Sequence, residues 1–145
     1  LVLPSNREVN DAANENGEIV VQPGDRLPGI PTHSLKVGWQ LDVTKAWDIA
    51  LEGVFASSRI FLGDEGNDQE PLEGYGLANF RSSYAFSDQV RLIGRVDNVF
   101  DSDYATFGVL AQVELELEEA PGASIPRFVS PGAPRSAFVG LRVLF

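Results

Sequence analysis

The run Pro134-Arg135-Ser136-Ala137-Phe138-Val139-Gly140-Leu141-Arg142-Val143-Leu144-Phe145 alternates up to its final residue. Ala137, Val139, Leu141, Val143 and Phe145 fall on one face at period two, and Ser136, Phe138, Gly140, Arg142 and Leu144 on the other. Strict alternation of this kind reads as a half-buried β-strand. Chain ends are usually loose and solvated, so an apolar strand without a polar tail is unusual in a soluble domain. A barrel whose last strand closes onto its first gives it a reason. The pattern predicts an all-β, antiparallel transmembrane β-barrel of the bacterial outer membrane.

Upstream, the same period recurs four times. A strand is predicted over about 32–43, with Leu35, Val37, Trp39, Leu41 and Val43 on one face, and a tight turn follows at Thr44-Lys45. A second covers about 46–61, with Trp47, Ile49, Leu51, Gly53 and Phe55 sharing a face. A third covers about 74–86, with Ala78, Phe80, Ser82, Tyr84 and Phe86 together, before a short turn at Ser87-Asp88-Gln89. A fourth starts near Val90 and is expected to run past Tyr104 to Phe107. Residues 1–31, 62–73 and 109–134 read as long loops; Pro28 and Pro31, which cannot donate to a ladder, mark the first strand's entrance.

Composition narrows the class. The chain has 145 residues, 43% hydrophobic, and no cysteine. That excludes disulfides, thiolate metal sites and cysteine catalysis. The net charge of −10 argues against nucleic acid, which needs a basic face. Most of the 21 acidic residues cluster in three loop-like segments: Glu8 to Asp25, Asp64 to Glu73, and Glu114 to Glu119. No run reaches the roughly 18–20 apolar residues of a membrane helix, which leaves barrel strands open because their hydropathy signal is weak. The start lacks a basic segment followed by an apolar core, so the expectation is a processed chain or the tail of a longer one.

Two features favour a membrane barrel over a soluble sheet. Long and short connections alternate strictly, as in barrels with short periplasmic turns and longer external loops. Aromatics also crowd the short-turn end: Trp39 and Trp47 flank one turn, while Tyr84 and Phe86 precede the other. A soluble antiparallel sheet with one face on a core has the same period and stays open as an alternative. Five strands cannot close on themselves, and backbone groups in lipid must all be paired. The expectation is therefore either one segment, residues 1–145, of a larger barrel or one part of an oligomeric barrel, and an odd count ending at a closing strand suits the first.

Three segments carry a resemblance to a known family, the TonB-dependent outer-membrane receptors. Arg26-Leu27-Pro28-Gly29-Ile30-Pro31-Thr32-His33 resembles the start of one of its late strands. Tyr84-Ala85-Phe86, followed after a short turn by Arg95-Val96-Asp97-Asn98-Val99-Phe100-Asp101-Ser102-Asp103-Tyr104, resembles its penultimate strand. Pro131 to Phe145 resembles its last. The resemblance implies a plugged barrel of about 22 strands, of which this chain supplies the last five and three external loops. The plug domain and earlier strands would lie upstream. It also implies energised uptake of a scarce ligand such as a ferric siderophore, with outer-membrane lipid, the barrel-assembly machinery, the TonB energy-coupling protein and a small-molecule ligand as partners. A passive porin or structural barrel is the alternative within the membrane class.

Candidate residues follow from these patterns. Glu114, Glu116 and Glu118 alternate with apolar neighbours and would form a carboxylate wall, in a ligand-contacting loop or simply on a solvated face. Arg127 and Phe128 pair a cation with a ring, a combination able to hold an anionic aromatic chelate. Lys36, Asp48, Glu52, Arg81, Arg91, Arg95, Asp97 and Arg142 fall opposite the apolar faces and are expected to point into a lumen, since an Arg or Lys facing lipid costs about 2–4 kcal/mol at the midplane. Val139, Leu141, Val143 and Phe145 match the family's C-terminal barrel-assembly signal, and Asn98, Asp101 and Tyr104 match its structural motif. Asp64-Glu65-Gly66-Asn67-Asp68-Gln69-Glu70 does not fit the EF-hand register and reads as an exposed loop, with a divalent-ion loop as the lesser alternative. His33, the only histidine, sits at a strand entrance, and its surroundings in sequence carry no motif of an activated nucleophile. No metal site, cofactor site or catalytic constellation is legible.

Overall fold

The computed structural model describes residues 2–4, 18–110 and 127–145. In chain order its strands are β1 (Val2–Pro4), β2 (Glu18–Val20), β3 (Ser34–Asp42), β4 (Trp47–Ala56), β5 (Tyr75–Ala85), β6 (Val90–Asp97), β7 (Ala105–Leu110), β8 (Arg127–Pro131) and β9 (Ser136–Val143). They divide between two compact units. One gathers Leu1–Thr32, Ser57–Gly74 and Tyr104–Pro131; the other gathers His33–Ala56, Tyr75–Asp103 and Gly132–Phe145.

The second unit is one antiparallel sheet of order β3-β4-β5-β6-β9. Its ladders run without a register shift, from Ser34 opposite Ala56 to Val90 opposite Val143. The two short turns form where expected. Thr44 and Trp47 exchange backbone bonds, and the Thr44 hydroxyl accepts from the Ala46 and Trp47 amides at 3.2 and 3.0 Å. Ser87 and Val90 close the other turn. Threonine and serine do this because a side-chain oxygen one carbon from the backbone reaches the next amides.

This sheet has no interior of its own. Every residue of β3 is exposed, and Leu35, Val37, Leu51, Phe55, Val139 and Leu141 all stand open. An apolar face of that extent marks a surface meant for another apolar phase. β3 and β9 each pair on one side only among the described residues.

Three boundaries differ from the sequence reading. The second strand stops at Ala56 rather than continuing to Phe61, and residues 57–61 join the other unit, where Arg59 bridges Leu72. The fourth strand stops at Asp97 because Asn98 (φ 49°) and Asp101 (φ 55°) are left-handed. That conformation interrupts regular ladder pairing, and Asn and Asp tolerate it better than most residues. Ala105–Leu110 is instead a separate strand, β7, paired with β8 inside the predicted long loop. The last ladder ends at Val143, with Phe145 beyond it and fully exposed.

The first unit holds two small sheets, β1-β2 and β7-β8. Its buried cluster is Phe61, Leu72 and Leu110, with Ala105 packed against it. Leu62 ties this cluster to β7, its amide donating to Gly108 O and its carbonyl accepting from the Leu110 amide. Gly108 lets the Phe61 ring lie against β7: a Cβ there would stand 2.5 Å from a ring carbon.

Candidate functional site

Two arrangements bear on function, one in each unit. On the sheet, the register puts Lys36, Asp48, Glu52, Arg81, Arg91, Arg95, Asp97 and Arg142 on a single face. The opposite face carries Leu35, Val37, Trp39, Leu51, Phe80, Val96 and Val139.

The charged face is banded. From the short-turn end upward, the rows carry Arg91 opposite Arg142, then Asp42 opposite Asp48, then Arg81 opposite Arg95. Glu52 and Asp97 come next, and then Lys36. Rows on one face lie about 7 Å apart. Like charges directly opposite one another destabilise a sheet, so compensation runs between rows. Arg91 Nη1 lies 3.6 Å from Asp48 Oδ1, and the Ser83 hydroxyl both donates to that oxygen at 2.6 Å and accepts from Arg91 at 3.2 Å. Arg95 Nε donates to both Asp97 oxygens, at 2.8 and 2.7 Å. Asn79 donates to Glu52 at 2.9 Å. Lys36, Arg81 and Arg142 form no salt bridge among the described residues. Over Gln40, Asp42, Lys45, Asp48 and Arg91 lies a polar hollow of about 660 Å³.

Aromatics mark the short-turn end, with one change from expectation. Trp47 stands opposite Tyr84 and donates from Nε1 to Ser82 Oγ at 2.9 Å, and Tyr84 meets Phe86 edge-on at 5.1 Å. Trp39 is not part of this group. It lies opposite Leu51, two rows further from the turn, because each row consumes two residues of strand.

In the first unit, Arg127 and Phe128 are neighbours on β8, opposite Leu110 and Val109, and a strand sends neighbours to opposite sides. The ring beside the cation is therefore Phe61: the Arg127 guanidinium lies 5.5 Å from its centroid and donates to Gln69 Oε1 at 3.5 Å. Glu114, Glu116 and Glu118 lie outside the described residues. Arg59, not singled out by sequence, is buried and donates from Nη1 to Thr106 O at 2.7 Å.

Asp64 corrects the reading of its segment as exposed, since its relative exposure is 0%. Its carboxylate accepts from the Asp68 and Gln69 amides at 2.9 and 3.1 Å, and Asn67, just before those two residues, is left-handed (φ 57°). Its oxygens thus close the loop. Among the described residues no three His, Cys, Asp or Glu side chains converge as a metal site. Burial pushes the Asp64 carboxyl above the ordinary carboxylate value, against the pull of its two amide donors. A carboxyl raised on folding contributes stability that is complete below about pH 4 and lost as pH rises through the folded value. Asp64→Asn keeps one acceptor and drops the charge. Its loop is expected to gain on wild type as pH rises through that window and to lose the gain in acid. Exchange of the Asp68 and Gln69 amides, compared between the two proteins at each pH, measures this.

The family model for the TonB dependent receptor-like β-barrel matches residues 9–99. Among solved structures, the closed form of Fiu, the ferric-catecholate import receptor of E. coli K12, is similar at 21% identity and TM-score 0.54, over 77% of this chain and 14% of that one. Its open form is similar at 18% identity and TM-score 0.55, over 77% and 15%. The copper transporter OprC is similar at 19% identity and TM-score 0.57, over 82% and 18%. At these identities the likeness is one of fold, and the chain spans less than a fifth of each structure. No curated protein sequence matches the chain. With its antiparallel ladder and a family model covering well over half its length, the chain belongs to the TonB-dependent receptor β-barrel family.

Proposed function

We propose that residues 1–145 form the C-terminal part of a Gram-negative outer-membrane receptor that takes up a scarce ligand with energy from TonB. A ferric chelate is the leading candidate ligand, in line with the ferric-catecholate receptor among the similar folds; copper is the other metal cargo named there. The observation that carries the reading is the sheet itself: a family-matched ladder with an open apolar face, every charge of its strands on the other face, and two edges that among the described residues pair on one side only. A spanning sheet must close, so earlier strands and a plug would complete it.

On this reading the apolar face meets lipid and the banded face lines the lumen. Lys36, Arg81 and Arg142, unbridged within the sheet, would meet acidic groups of the plug. Arg127, Phe128 and the acidic run Glu114, Glu116 and Glu118 would lie on the external side, where ligand is captured. Val139, Leu141, Val143 and Phe145 would present the last strand to the barrel-assembly machinery.

The test is accumulation of radiolabelled ferric catecholate, and separately of copper, by cells carrying or lacking the full-length gene, each with and without TonB. Uptake of one cargo should require both. Uptake that needs the gene but not TonB would identify a passive porin instead.

A further inference from the structure

We propose that the apolar face of the sheet carries a shaped groove for one acyl chain of an outer-leaflet lipid. The inference rests on the membrane-barrel reading above and goes beyond it. Most of this face is filled by large side chains such as Trp39, Leu51 and Phe80. Near the long-connection end the filling stops. Gly53 stands opposite Ala78, and Gly76 stands opposite Phe55. These three small residues sink the surface into a groove of about 280 Å³, walled by Leu35, Val37 and Phe55.

Phe100 forms the lip of the groove and is 77% exposed. It is not held out by chance. The turn beneath it is fixed by Asn98, whose side chain donates to Ser102 O and Ala133 O and accepts from the Ser102 amide. Val99 donates to Ala78 O at 2.8 Å, and Asp101 accepts from the Arg135 amide at 3.0 Å. A rigid polar turn thus presents a bare aromatic ring over a dent in an apolar wall.

The chemistry selects the occupant. No charged or polar side chain lines the groove, so a peptide or a headgroup entering it would leave its polar atoms unpaired, which is costly. An acyl chain has none to satisfy. The groove is also continuous with the apolar face that meets lipid, and external loops belong to the outer leaflet's side.

Two leucine substitutions separate this groove from the general lipid contact of the face. A Cβ at Gly76 meets nothing within 4 Å, so Gly76→Leu fills the groove without a clash. Gly94→Leu puts the same side chain on the same face outside the groove, where the nearest atom is 3.9 Å away. The full-length receptor and its variants are purified in mild detergent and titrated with lipid A, the acylated anchor of the outer leaflet, and bound lipid is counted by native mass spectrometry. Gly76→Leu should bind the lipid about tenfold more weakly, the loss of roughly two buried methylenes, and Gly94→Leu should bind as wild type. Phe100→Ala, which alters no strand, should weaken binding similarly and decides the matter if Gly76→Leu fails to assemble. Equal binding by wild type and the groove variants, or an equal loss in Gly94→Leu, would overturn the proposal. Heat-dependent electrophoretic mobility scores barrel assembly in each sample. A wild type that never forms a barrel shows there, and refutes the membrane reading rather than the groove.

Discussion

Leu51→Arg is expected to cost about 2–4 kcal/mol of barrel stability, while Gln40→Arg at nearly the same depth is expected to stay within about 0.5 kcal/mol of wild type. The two positions differ in one respect that matters. Leu51 sits in the row Trp39–Leu51–Phe80–Val96 on the apolar face, and Gln40 sits opposite Ala50 on the charged face. A guanidinium at residue 51 would have to enter hydrocarbon or distort the lipid around it. At residue 40 it enters a polar hollow beside Asp42 and Asp48. Denaturant unfolding of the full-length protein in lipid vesicles measures both. Equal costs at the two sites would mean that the faces are not differently solvated.

Asn98→Ala is expected to cost a comparable amount, about 3–4 kcal/mol from three lost hydrogen bonds and a left-handed backbone that alanine resists. Asn98 is only 3% exposed, so Ser102 N, Ser102 O and Ala133 O would lose their partner where water is scarce. Asn98→Gly separates the contributions. It removes the same bonds but accepts the φ of 49° freely, and should recover about 1 kcal/mol relative to alanine. The same unfolding measurement applies, and a glycine variant no better than alanine would assign the whole loss to the hydrogen bonds.

The parts of the fold that were legible are those that project onto local sequence. Period two located the five strands of the large sheet, and the eight charges predicted to share a face do share one, because alternation survives any register that keeps the pleat; the short strands of the two small sheets were not located. The bands within that face were not legible. Arg91 and Arg142, or Arg81 and Arg95, become neighbours only through cross-strand pairing, which no single strand encodes. The strand ends at Ala56 and Asp97 were overrun because hydrophobic alternation continued past them. The signal that could have stopped the second was present in Asn98-Val99-Phe100-Asp101-Ser102-Asp103, a run dense in residues that leave the ladder. Arg127 and Phe61 are far apart in sequence, so their meeting is tertiary information. Asp64 was lost in an acidic string, where its burial depends on a loop folding back to give it two amides.

The most direct test of the central claim places one cysteine at a time along β3 and β4 of the full-length receptor, in a segment that has no cysteine of its own. Each is labelled with an environment-sensitive fluorophore and reconstituted into vesicles of brominated lipid. Labels at residues 39, 41, 49 and 51 should be quenched by the lipid, and labels at 38, 40, 50 and 52 should report water, alternating residue by residue. Quenching at neither set, or equally at both, would contradict a sheet that spans the membrane with its banded face toward a lumen.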